Sequence, residues 1–228
     1  MHAEVRDCMQ SYYRALPRDG RLPGHCSMDI PDDLLGKRVI DVLCRKGRGA
    51  YQLSDFTGDK GFVLGVDPDA SFVDAASGCA ADNHWSGAQW QRYLRFEVGC
   101  PEDLSEAGVR DGSFDVAYVN SVINCVFDLA LALAECARCL TPDGYLWVAQ
   151  GVFRNADAPS VGAAASGSVL GNVFLRAVSL EQFEGLCLRV GFRSVEVLSR
   201  AVIVPDGDDA RETCGASEYF QATVRVRR

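Results

Sequence analysis

The sequence predicts a doubly wound α/β fold: a mostly parallel, seven-stranded sheet that closes on a C-terminal antiparallel hairpin. Three observations predict it. Short apolar runs rich in branched residues alternate with helix-length amphipathic segments along most of the 228 residues, the pattern of a parallel sheet covered on both faces. Each run is punctuated by Gly, Pro or Asp where a strand must hand over to a helix. The last two runs are joined by a loop without helical periodicity, which calls for antiparallel pairing.

The elements read in order. Lys37–Leu43 is a buried strand, followed by a Gly- and Arg-containing turn and a helix over Ala50–Phe56 that Gly58 closes. Phe62–Asp67 is a second strand ending in an acid, and Ser71–Ala81 a helix. Leu94–Val98 and Phe114–Asn120 are the third and fourth strands, the latter introduced by Asp111-Gly112-Ser113. Leu129–Leu140 is an amphipathic helix ended by Thr141-Pro142-Asp143-Gly144, and Tyr145–Gln150 is the fifth strand. Leu180–Val190 is a helix stopped by Gly191, and Val195–Val204 and Tyr219–Arg227 form the hairpin around Pro205–Ser217. Residues 1–30 stand outside the alternation as a lead segment, leaving 31–228 as one domain. The Ala-, Ser- and Gly-rich stretch 155–170 reads as a lid or crossing loop.

Composition narrows function. A net charge of −8 repels phosphate backbones, so a small-molecule substrate is expected rather than nucleic acid. The alternating Arg225, Arg227 and Arg228 read as the solvated face of the last strand. No apolar run approaches the roughly 18 residues of a membrane span, and the polar N-terminus lacks the core of a secretion signal. The ten cysteines are therefore expected as reduced thiols in the cytoplasm. Cys136 and Cys139 form a C-x-x-C pair inside a helical apolar run with no second pair at zinc spacing, so no metal site is expected. Nothing in the sequence sets an oligomeric state.

In open α/β sheets ligands bind at the carboxyl ends of the strands, near the reversal of strand order. Three features converge there: the turn Asp41–Gly49, the strand-end acid Asp67, and Cys100-Pro101-Glu102-Asp103-Leu104 after the third strand. Asp67 lies at the distance from the first turn usual for an acid that binds ribose hydroxyls; a helix cap or turn residue is the alternative. Glu102 reads equally as an adenine-side contact or a structural acid. Trp147 and Gln150 on the fifth strand either line a substrate pocket or, for the tryptophan, pack the core. His84 is a weak general-base candidate.

These segments resemble class I S-adenosylmethionine-dependent methyltransferases, and more closely their arsenite methyltransferase branch. The resemblance is carried by Leu35–Ala76, by Glu102–Gly108 (EDLSEAG), by Ser113–Gly144 with its FDVAYVNSVINCV, and by LEQFEGLCLRVGF and FQATVRV. It implies a Rossmann-like methyltransferase fold, S-adenosylmethionine as cofactor and transfer of its methyl group to a small molecule. Residue by residue, it implies that Asp41, Gly47 and Arg48 surround the methionine part of the cofactor. Asp67 would take the ribose, Pro101 and Glu102 the adenine side, and Asn120 a place beside the methionine portion. Cys26 matches a cysteine of the N-terminal lead, and Cys214 lies near a C-terminal one; these two are the candidate thiols for a soft acceptor. The chain departs from the family in two places. Leu43 and Arg45 stand at the first two glycines of Asp-x-Gly-x-Gly-x-Gly, and Phe174 stands on or near the central arsenic-binding cysteine. Two expectations follow: an active small-molecule methyltransferase with an altered cofactor turn, or a catalytically inactive binding or regulatory protein on the same fold. An NAD-dependent oxidoreductase is disfavoured, because the Gly-x-Gly-x-x-Gly spacing is absent.

Overall fold

A computed structural model describes residues 3–16, 28–80, 92–155, 173–174, 176–203 and 218–228. Seven strands form one sheet in the order β3-β2-β1-β4-β5-β7-β6. β1 (Arg38–Val42), β2 (Phe62–Asp67), β3 (Leu94–Val98), β4 (Phe114–Asn120) and β5 (Leu140–Arg154) run parallel. β7 (Tyr219–Arg227) lies antiparallel between β5 and β6 (Ser194–Ile203). The predicted mixed sheet with its reversed last strand is thus the observed one. Strand order reverses between β1 and β4, whose register sets Asp41 opposite Tyr118.

Each face carries its own core. On one, α2 (Arg48–Thr57) and α3 (Ala70–Cys79) bury Ala50, Leu53, Val73 and Ala76 against Val39, Val63 and Tyr118. On the other, α4 (Leu129–Cys139) and α5 (Leu180–Arg189) bury Leu133, Cys136, Phe183 and Cys187 against Ile40, Ala117 and Val148. Cys136 and Cys139 are both buried core thiols, so the C-x-x-C spacing serves packing. The helices start where short polar side chains can take their free N–H groups. Asp69 accepts from Ser71 N, Asp128 from Ala130 and Leu131 N, and Ser179 closes a full capping box with Gln182.

Three local readings change. The lead segment contains a helix, α1 (Ala3–Ala15). The fifth strand runs from Leu140, not Tyr145. Leu140 pairs with Phe114 and Tyr145 with Val116, so Thr141–Gly144 leaves the ladder as a bulge and the turn chemistry sits inside the strand. Arg225 is half-buried, its guanidinium 5.2 Å from both the Tyr145 and Trp147 rings, so only part of the C-terminal arginine run is solvated. No helix among the described residues is long and apolar enough to cross a membrane. The loop Pro205–Ser217, His84 and most of 155–170 lie outside the described residues.

Candidate functional site

β1 delivers Asp41 to the carboxyl edge of the sheet and then turns sharply. Leu43 and Arg45 adopt left-handed backbone angles, φ 61° and 49°, and Gly47 follows at φ 79°. The positions where the family carries glycines thus keep the conformation glycine favours, although two side chains have been added. Gly47 itself is irreplaceable on packing grounds. A Cβ there would come within 2.8 Å of both Ala76 and the Phe96 ring, so this residue lets α2 approach α3 and β3.

Asp67 closes the turn from the neighbouring strand. Its Oδ2 accepts the Arg45 N–H and its Oδ1 the Asp69 N–H, both at 2.9 Å. Only 3% of its surface is exposed, and burial pushes its carboxyl up while those two N–H groups oppose the shift. Asp41 is equally buried; desolvation and then the nearby charge of Asp67 push it up to about 8, against one N–H from Ala50. Two acids with raised affinity for protons therefore sit side by side under the turn. Arg45 aims its guanidinium over the Phe72 ring at 4.8 Å.

The other implied residues divide. Pro101 and Glu102 are buried at the end of β3. The Glu102 carboxylate accepts the Tyr13 hydroxyl at 2.8 and 3.0 Å on its two oxygens and the Asp128 N–H at 3.0 Å. Asn120 is half-buried at the end of β4 and accepts from Ser121 Oγ at 3.2 Å. Arg48 is exposed on the first turn of α2. Cys26 and Cys214 lie outside the described residues. Phe174 is buried edge-on to Tyr219, with centroids 5.1 Å apart. Trp147 is a core residue whose indole N–H reaches the Asp29 carbonyl at 2.8 Å.

Sequence reasoning missed α1 and what fixes it. Met9, Tyr13 and Cys100 form a small buried cluster against which Leu43 and Phe127 pack. Tyr12 donates to the Cys125 carbonyl at 2.8 Å, and Tyr13 also accepts the Phe127 N–H. Arg176 ties down the same loop, donating to the carbonyls of Asn124, Val126 and Phe127 and stacking 5.3 Å over Tyr12. The available signal was an adjacent tyrosine pair in the lead and a lone arginine in the apolar run Val173–Leu180. Beside α1, a cavity of about 360 Å³ opens between Pro68–Ala70 and Val98–Cys100, bordered by Gln10, Tyr13 and Glu106. Among the described residues no group of His, Cys, Asp or Glu could hold a metal ion.

The sheet order, the left-handed turn and the strand-end acid together define the class I methyltransferase architecture. A family model described as a methyltransferase domain matches residues 40–148. The arsenite methyltransferase of Mus musculus is 27% identical over 88% of this chain and 53% of its own length. That of Aquipseudomonas alcaligenes is 31% identical over 88% and 57%. Among solved structures, an arsenic(III) S-adenosylmethionine methyltransferase from Chlamydomonas reinhardtii superposes with a TM-score of 0.78 at 27% identity, covering 96% of this chain and 73% of that one. Residues 40–148 thus match a methyltransferase-domain family, carried on the class I methyltransferase fold. The chain is similar at modest identity to arsenite methyltransferases, and it spans about half the length of these curated relatives.

Proposed function

We propose that the chain is an S-adenosylmethionine-dependent methyltransferase acting on a small molecule, in the manner of the arsenite methyltransferases it resembles. The observation that carries this reading is the turn after β1. Left-handed backbone persists at Leu43, Arg45 and Gly47, and Asp67 holds the Arg45 N–H. Each oxygen of Asp67 has accepted one bond and keeps a lone pair for a ribose hydroxyl. The cavity between Pro68–Ala70 and Val98–Cys100 would take the adenine, and Asp41 and Asn120 would flank the methionine portion. When bound, S-adenosylmethionine supplies a methyl group made electrophilic by its sulfonium. The chain's part is to hold an acceptor in line with that methyl group and to exclude water, which for a soft nucleophile is most of the catalytic task.

A second reading, an inactive binding or regulatory protein, is favoured by two features. Leu43 packs into the α1 cluster across the strand ends, and Glu102 already has Tyr13 and Asp128 as partners. Calorimetric titration of the full chain with S-adenosylmethionine and S-adenosylhomocysteine separates the two. Micromolar binding supports the methyltransferase; no heat at millimolar ligand refutes it. The double variant Leu43→Gly, Arg45→Gly is expected to bind at least tenfold tighter, because it clears bulk from the turn while keeping its backbone.

A further inference from the structure

At the opposite end of the sheet, the amino-terminal ends of β1, β2 and β3 border an open groove of about 550 Å³. Arg38, Lys60, Arg92 and Arg95 line it, with two carboxylates, Asp59 and Asp115. Four cations lining one groove stand out on a chain of net charge −8. One of the two carboxylates is partly spent, since Asp115 accepts the Arg38 N–H at 2.9 Å.

Arg38 is held as a rigid fork. Its guanidinium lies 4.9 Å from the Phe62 ring and 5.5 Å from the Phe114 ring, and its Nε donates to the Ser113 carbonyl at 2.9 Å. Its two terminal nitrogens take no protein acceptor among the described residues, and Lys60 Nζ takes none either. Arg95 sits 5.8 Å over the same Phe62 ring. The Arg38 fork contrasts with Arg138, spent on Glu135 and Asp111, and with Arg176, spent on three carbonyls. A pinned guanidinium presenting two parallel donors beside a mobile ammonium is the donor set that matches phosphate oxygens.

We propose that this groove binds a polyphosphate-bearing small molecule. Arg38 and Lys60 take the phosphates, and Tyr93 lines the groove beside them. The site is independent of the methyltransferase reading. Along β1 it lies about 13 Å from the turn that follows Val42, at about 3.3 Å per residue, so both sites can be filled together.

The test is calorimetric titration of the full chain with inorganic tripolyphosphate at low ionic strength, repeated with ATP. A dissociation constant of about 100 µM or tighter is expected, unchanged by saturating S-adenosylhomocysteine. Lys60→Glu, an exposed substitution that spares the Phe62–Arg38 stack, is expected to weaken tripolyphosphate about tenfold. Arg189→Glu, the same charge change on α5, is expected to leave it within about twofold. ATP binding tighter than tripolyphosphate identifies a nucleotide; equal affinities identify the polyphosphate alone. No heat with either probe, or equal weakening by both variants, overturns the proposal.

Discussion

Arg45 shows what the substituted turn costs and why it is tolerated. A left-handed conformation costs a non-glycine residue roughly 1–2 kcal/mol. Part of that is returned by the guanidinium over Phe72, a contact of about 0.5–1 kcal/mol at a partly exposed position. Arg45→Gly removes the strain together with the ring contact and loosens the unfolded chain, so its stability is expected to stay within about 1 kcal/mol of the parent. Arg45→Val keeps the strain and adds a branched Cβ, which left-handed backbone tolerates worst; it is expected to lose about 1–2 kcal/mol. Urea unfolding midpoints of the two variants decide the matter, and a neutral valine would contradict a left-handed turn at this position. The sequence alone placed Arg45 at a glycine position. It did not show that the backbone keeps its old shape, because φ depends on the Asp67 bond that holds the turn from the neighbouring strand.

At the scale of elements, most boundaries were legible and α1 was not, for one physical reason. β7 was readable from end to end because its alternation is set locally by neighbouring residues. The spacing from β1 to Asp67 was likewise enough to find the strand-end acid. α1 instead derives its place from partners far along the chain: Tyr13 meets Glu102 and Phe127, and Tyr12 meets Cys125. Its half-buried ion pairs, Arg6 with Asp103 at 3.6 Å and with Glu106 at 3.3 Å, are long and add modestly. The Tyr13 hydroxyl is therefore the main polar fastening of the helix. Tyr13→Phe leaves a buried carboxylate short of a donor, at roughly 1–3 kcal/mol. Amide exchange across residues 3–15 is expected to accelerate while β1 and β2 keep their protection. Unchanged exchange in α1 would mean that the apolar cluster of Met9, Cys100 and Leu43 suffices to hold it.

Over the whole molecule, the carboxyl ends of the strands gather three buried acids, Asp41, Asp67 and Glu102. Burial raises all three, with the Asp67 charge adding to the shift at Asp41 and hydrogen bonds from Asp128, Tyr13, Asp69 and Arg45 opposing it at the other two. An acid whose folded pKa is raised binds its proton more tightly in the native state than in the unfolded one. Stability then falls as pH climbs from the unfolded value near 4 to the folded one, about 8 for Asp41. Asp33, which Lys37 and Tyr145 hold below its usual range, acts only under more acidic conditions and does not mask this window. The buried Cys100, Cys139 and Cys187 thiols, pushed up to about 12, act only above it. The melting temperature is therefore expected to be higher at pH 5.5 than at pH 8. Asp41→Asn, which keeps an oxygen for the Ala50 N–H, should flatten that slope and gain most at pH 8. A melting temperature that rises between these pH values, or a variant with the parent's slope, would show that the acids under the turn are stabilised as anions. That outcome would overturn the raised Asp41 carboxyl from which the falling slope follows.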